Sequence, residues 1–275
     1  MSFMEGMSKA GIAYTIYGDV ERKLPWVILV PGGVSRAAIA NRGGALPKLL
    51  SLQYKVLLYD PRGFNGSNRL GHTESLEQMA DDQENLIKEI CGEEQVHAFG
   101  YSFGTMICMA HARKYPDRML SLGLLSPYFE QQSPKWTWQY RALNFGVRNK
   151  LLMTLVLGIG ACFTRDSRKR KGSFKFIGEL RRADPTHILA MTRALQTFGS
   201  SYWENLPQKI PLCIMRGSRD HMSDDAQWCD IKERVPWAEE FEDEDADHTP
   251  LDTHLTRYIL AYLTFLQAVE AKRVK

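Results

Sequence analysis

The sequence predicts an α/β fold, in which a mostly parallel central sheet carries helices on both faces and a helical segment is inserted between two core strands. Three observations predict it. Short, continuous apolar runs end abruptly in polar turns, helix-patterned stretches alternate with those runs, and one long span, 128–206, interrupts the alternation.

GIAYTIYG (11–18) alternates apolar and polar residues, which predicts a half-exposed strand running into a hairpin turn at Gly18 and Asp19. WVILVPGG (26–33) is apolar throughout until Pro31, the pattern of a strand buried on both faces. A helical stretch over about 36–52 leads to a second such strand, KVLLYDPRG (55–63). Over 74–90, Leu76, Met79, Ala80, Leu86, Ile87 and Ile90 fall on one stripe of an amphipathic helix. VHAFGYS is a third buried strand, with a helix-patterned TMICMAHARKY after it; SLGLLSP (121–127) and IPLCIMRGSRD (210–220) are the fourth and fifth. The chain closes with an amphipathic helix over 251–267. The core domain therefore comprises 1–127 and 207–275, with 128–206 as a helical cap, or lid, rich in aromatic and basic residues. No internal repeat or long Gly/Ser linker is present.

Composition excludes several classes. The chain has 275 residues, 44% hydrophobic and 24% charged, with a formal charge of +3, so no global charge calls for a nucleic-acid partner. Charge is uneven, however: residues 165–182 hold eight basic and two acidic side chains, and 239–247 hold seven acids. The five cysteines, scattered and odd in number, show no CxxC spacing, which argues against a disulfide framework or zinc site and for a reducing compartment. MSFMEGMSKAG lacks the layout of a secretory signal. The most apolar run, 151–163, has 13 residues and is too short to span a bilayer, so a soluble cytoplasmic protein is expected. The basic stretch after that run reads equally as a solvated face and as a contact for an anionic membrane or substrate.

In open parallel sheets, ligands bind beyond the carboxyl ends of the strands. Four polar turns follow such ends: Pro31 to Gly33, Asp60 to Gly63, Gly100 to Gly104, and Gly217 to Asp220. In GYSFG, a serine between two glycines joins a buried strand to a helix. The glycines permit a sharp turn that projects the Ser102 hydroxyl; Ser102 as a plain helix N-cap fits the local sequence nearly as well. A serine hydroxyl needs a base, and the base an orienting acid. Asp220 follows a strand end, and His248 lies in DADHTPLDTHL just before the last helix. A capping or surface role is the bland alternative for each. His221 is the main rival to His248. His97 falls in a buried strand, His111 and His254 in helices, and His72 and His187 away from any strand end. His111 with Asp117 has the wrong spacing for a His-x4-Asp acyltransferase motif. For an oxyanion, the Phe103 N–H is one donor and Gly33 the natural second, with Val34 as fallback.

These motifs resemble the α/β-hydrolase superfamily in its serine-nucleophile branch. The likeness runs along nearly the whole chain: the PGG loop, DPRGFNGS, GYSFG, GSRD, DADHTP, and a cap before the strand that leads to the acid. The resemblance implies Ser102 as nucleophile, His248 as base, Asp220 as its partner, and Gly33 and Phe103 as the oxyanion hole, with no metal or cofactor. Two departures stand out. Pro31 replaces the histidine with which many relatives open the oxyanion loop, and Asn65 replaces a glycine, at a turn where Asn tolerates the left-handed conformation best after Gly. Ser102 itself argues against the dehalogenases and epoxide hydrolases of this fold, whose nucleophile is aspartate. DPRG and GYSFGT are also similar to proline iminopeptidases, but the HGGPG loop of that group is missing.

The expected activity is cleavage of a carboxylic ester, lactone or related acyl bond of a small apolar molecule. The alternatives are a lyase or cofactor-free peroxidase on the same triad, a peptidase of the proline iminopeptidase type, and a ligand-binding pseudoenzyme. Val34, Tyr101, Trp136, Trp138 and Tyr202 are the residues expected to line the substrate pocket. Tyr140, Phe145, Phe198 and Trp203 are aromatic too, and any one of these cap side chains serves as well in the cap's own core.

Overall fold

Along the strand Trp26–Val30, Val27 and Leu29 enter one apolar layer while Trp26, Ile28 and Val30 enter the other. This two-sided burial is what the unbroken apolar run predicts. The structure is a computed structural model that describes residues 3–32, 41–64, 66–67, 75–128, 149, 193, 197–220 and 222–273. Its elements run β1 (Phe3–Met7), β2 (Ala13–Tyr17), β3 (Trp26–Val30), α1 (Asn41–Leu50), β4 (Lys55–Tyr59), α2 (Leu76–Cys91), β5 (Val96–Tyr101), α3 (Phe103–Lys114) and β6 (Met119–Leu125). After 128–199 come α4 (Ser200–Glu204), β7 (Leu212–Gly217), α5 (Asp225–Arg234), β8 (Glu239–Asp243), α6 (Pro250–Thr253) and α7 (Leu255–Arg273).

The described strands form one eight-stranded sheet in the order β1-β2-β4-β3-β5-β6-β7-β8. β1 with β2 and β2 with β4 are antiparallel, and every other neighbouring pair is parallel. The chain runs from β3 outward to β4, then returns to place β5 on β3's other side. The order therefore reverses between β3 and β5, the position where open sheets form a crevice. Parallel registry pairs Val30 with Gly100, Tyr101 with Leu125, Leu125 with Met215 and Gly217 with Asp243. The loops after β3, β5, β6, β7 and β8 thus emerge along one edge.

Helices cover both faces. Leu76, Met79, Leu86 and Ile87 of α2, Met106 and Ile107 of α3, Trp203 of α4 and Trp228 of α5 pack on one side. Leu46 and Leu50 of α1, and Tyr258, Tyr262 and Phe265 of α7, pack on the other. Burial of this kind, about 25 cal/mol per Å² of apolar surface, is the main force holding the layers together. α2 begins where Ser75 caps it, its side chain accepting from the Gln78 N–H at 3.1 Å.

The sequence pattern missed two strands, both at sheet edges. β1 is largely exposed and β8 is EEFED, four acids in five residues, so neither carries the buried apolar signal. β8 exists because β7 offers it a parallel partner, and tertiary pairing outweighs its poor strand propensity. The hairpin expected after Gly18 lies before β2 instead, where the 8–12 turn joins β1 to β2; its backbone closes through the Ile12 carbonyl and the Ser8 N–H at 2.9 Å. The last helix begins at Leu255, so His254 sits at the junction with α6 rather than inside it. The expected extension of α1 to 36, the Asn65 turn and most of the 128–206 span lie outside the described residues.

Candidate active site

Gly100 and Gly104 bring β5 and α3 close enough to bend the chain through Ser102. A Cβ on Gly104 would stand 2.7 Å from the Pro31 carbonyl oxygen, and one on Gly100 would stand 2.6 Å from the Gly104 oxygen. Only hydrogen fits at either position. Ser102 itself takes φ 51 and ψ −119, a conformation L-residues rarely hold. Its N–H donates to the Leu125 oxygen at 2.8 Å, and its carbonyl accepts from the Thr105 hydroxyl at 2.6 Å, so the strained residue is clamped on both sides.

Ser102 occupies the N-cap position of α3 but makes no side-chain cap hydrogen bond. Its Oγ lies 3.0 Å from His248 Nε2. On the far side of the ring, His248 Nδ1 lies 2.8 Å from Asp220 Oδ2. A carboxylate accepts, so Nδ1 carries the proton and Nε2 is left to accept from the serine hydroxyl. The Asp220 side chain is fully buried, and its Oδ1 accepts from the backbone N–H groups of Met222 at 2.8 Å and Ser223 at 3.2 Å. One carboxylate oxygen is thereby fixed by the turn while the other faces the imidazole.

Asp220 and His248 meet because the turns after β7 and β8 are stitched together. The Ser218 N–H donates to the Asp243 oxygen at 2.9 Å and the Arg219 N–H to the Ala246 oxygen at 3.0 Å. A Cβ on Gly217 would meet the Ala246 Cβ at 2.7 Å, so these backbones touch without room for a side chain. The His248 carbonyl in turn accepts from the Tyr101 hydroxyl at 2.9 Å and from the Ser126 hydroxyl at 3.4 Å. The residue ending β5 and the residue following β6 therefore hold the histidine from beneath. Ser126 is the other described non-glycine residue with positive φ, at 50.

Of the residues singled out from sequence, Ser102, Asp220 and His248 come together. The Phe103 N–H opens α3, among the first helical N–H groups that find no intrahelical acceptor. Gly33, Val34, Trp136, Trp138 and the rival His221 lie outside the described residues. Tyr101 is buried, and its hydroxyl is given to the His248 carbonyl. Tyr202 directs its hydroxyl to Glu77 Oε1 at 2.6 Å, with the Arg113 guanidinium 4.4 Å from its ring, so it docks α4 against α2 and α3. His97 and His111 are fully buried, bonded to Glu270 at 3.0 Å and Glu84 at 3.0 Å respectively.

Two residues of the site, Tyr128 and Ser126, were not picked out from sequence. The Tyr128 hydroxyl lies 3.3 Å from Ser102 Oγ and 3.3 Å from His248 Nε2. Burial raises the Tyr128 phenol well above its ordinary value, outweighing the Ser102 hydrogen bond, so it stays protonated. Trp203, itself buried, fixes that segment by donating its indole N–H to the Tyr128 carbonyl at 3.0 Å. The signal was available: Ser126, Pro127 and Tyr128 follow a buried strand end, as the four turns chosen from sequence do.

A mostly parallel, helix-covered sheet, with a strained serine between strand and helix and a histidine–carboxylate pair in reach of its hydroxyl, defines a class of α/β protein. The chain belongs to the alpha/beta hydrolase fold family, whose model matches residues 25–255. Solved structures share the fold at low identity. The enol-lactonase from Burkholderia xenovorans LB400 is 19% identical with a TM-score of 0.79, over 96% of this chain and all of the other. A thermophilic esterase from Thermogutta terrifontis is 20% identical with a TM-score of 0.76, over 98% of this chain and 99% of that one. A bromoperoxidase from Bacillus anthracis is 18% identical with a TM-score of 0.77, over 96% of this chain and all of that one. Among the described residues, no helix is long and apolar enough to cross a membrane.

Proposed function

We propose that the protein is a serine hydrolase that cleaves a carboxylic ester, lactone or related acyl bond of a small apolar substrate through an acyl-enzyme. The observation that carries this reading is the unbroken relay from Asp220 Oδ2 to His248 Nδ1 at 2.8 Å and from His248 Nε2 to Ser102 Oγ at 3.0 Å. Ser102 attacks the acyl carbon as His248 takes its proton, and Asp220 holds the imidazolium that forms. The Phe103 N–H, with Gly33 as its partner, receives the oxyanion. The tetrahedral species collapses as the proton passes to the departing oxygen, and water activated by His248 then releases the acid. The segment 128–206 is read as a cap that shapes the acyl pocket. That a lactonase and an esterase share the fold is consistent with this substrate class.

A fluorophosphonate probe tests the reading. Wild type should be labelled, and the label should vanish in Ser102→Ala. A folded wild-type protein that resists the probe sinks the proposal. A chain-length series of nitrophenyl esters then maps the acyl pocket. The likeness to a bromoperoxidase favours a second reading, non-hydrolytic chemistry on the same relay. It predicts a labelled Ser102 in a protein that turns over no ester of the series.

A further inference from the structure

The Tyr128 hydroxyl, Ser102 Oγ and His248 Nε2 form a triangle with sides of 3.0, 3.3 and 3.3 Å. Two features of the fold decide which side of the reacting centre this hydroxyl serves. β5 lies between β3 and β6. The loop after β3 abuts the elbow from one side, where a Cβ on Gly32 would stand 2.8 Å from the Ser102 Cβ. Tyr128 follows β6 and approaches from the other side. With the oxyanion drawn toward the β3 loop and the Phe103 N–H, the departing oxygen is left facing His248 and Tyr128. That oxygen is bonded to the same carbon as Oγ and must come within reach of Nε2 to collect the proton. It therefore occupies the space that the Tyr128 hydroxyl borders.

We infer that Tyr128 is a catalytic residue that donates a hydrogen bond to the departing oxygen as the tetrahedral intermediate collapses; the inference rests on the serine-hydrolase reading. In that step the electron pair on the oxyanion re-forms the carbonyl and the bond from carbon to the leaving oxygen breaks. The proton His248 took from Oγ moves to that oxygen. Tyr128 keeps its own proton throughout and lowers the charge that builds on the leaving group. In deacylation the same hydroxyl orients the incoming water beside Nε2. Trp203 keeps the phenol in register by holding the Tyr128 carbonyl at 3.0 Å.

The test is a series of phenyl esters of one short acid, with leaving groups from 4-nitrophenol to 4-methoxyphenol, hydrolysed by wild type and Tyr128→Phe. The fluorophosphonate label is measured alongside. The loss in kcat/KM on Tyr128→Phe should grow along the series, reaching roughly tenfold more for the most basic leaving group than for 4-nitrophenol, the size expected of one hydrogen bond. The variant should still take the fluorophosphonate, whose fluoride departs with little need of a donor. Equal losses along the series, or no loss, overturn the inference. So does a Tyr128→Phe protein that is folded but no longer labelled, because the phenol then acts on Oγ itself. If Tyr128→Phe does not fold, Trp203→Phe, which removes the indole donor from the Tyr128 carbonyl, is put through the same series and must show the same graded loss. A wild-type protein that is not labelled is the failure of the serine-hydrolase reading instead.

Discussion

Ser102 holds a backbone conformation that costs on the order of 1–3 kcal/mol, and its hydroxyl does not offset that cost by capping the helix it precedes. Surrounding bonds impose it, and what is gained is a hydroxyl aimed at Nε2. At the same scale, Asp220→Asn keeps the shape of the side chain but can donate where only acceptance suits the Nδ1 proton. Ester turnover should fall by about 10⁴-fold, as in the best-studied triad; a fall below tenfold would point to another acid. His97 supplies a pH dependence. It is enclosed by Ser121 of β6 at 2.8 Å, the edge of the Tyr54 ring, and Glu270 and Arg273 of α7. Burial pushes its imidazole down to about 4, with Glu270 opposing. The unfolded chain takes that proton near 6.5, so the His97 contribution is intact above about pH 6.5 and is lost as pH falls toward 4. Its full size is about 3 kcal/mol. The urea midpoint of wild type should drop more steeply over that window than that of His97→Asn.

At the scale of elements, the site depends on close approaches that side chains would prevent. Gly104→Ala places a methyl against the backbone of Val30 and Pro31, which are strand and loop and cannot rotate away. The variant should lose about 2 kcal/mol or more by thermal denaturation and label more slowly with a fluorophosphonate, since α3 must shift from β3. Tyr202 separates docking from substrate binding. Its hydroxyl is given to Glu77, so Tyr202→Phe should cost about 1 kcal/mol of stability while leaving KM for nitrophenyl esters unchanged. Element by element, the buried parallel strands and the helices between them were legible, because continuous apolar runs have few other folded destinies. β1 and β8 were not. An edge strand needs only one partner, and EEFED shows in composition a charged surface rather than the pairing with β7 that makes it a strand.

Over the whole molecule, the reversal of strand order between β3 and β5 sets the elbow in the crevice, and parallel registry brings the turns after β5, β6, β7 and β8 to the same edge. The class of sheet, the serine between its glycines, and an acid and a histidine in the right chain order were all legible in the chain. Those features are local: each is carried by a few neighbouring residues whose burial pattern and turn chemistry have one consistent reading. Folding settled that the serine hydroxyl turns to His248 rather than capping α3. Folding also brought Tyr101 and Ser126 to the His248 carbonyl and Tyr128 beside both reacting atoms. Each of those outcomes depends on where separate strands end relative to one another, a relation set by registry and packing across the sheet that no run of adjacent residues encodes.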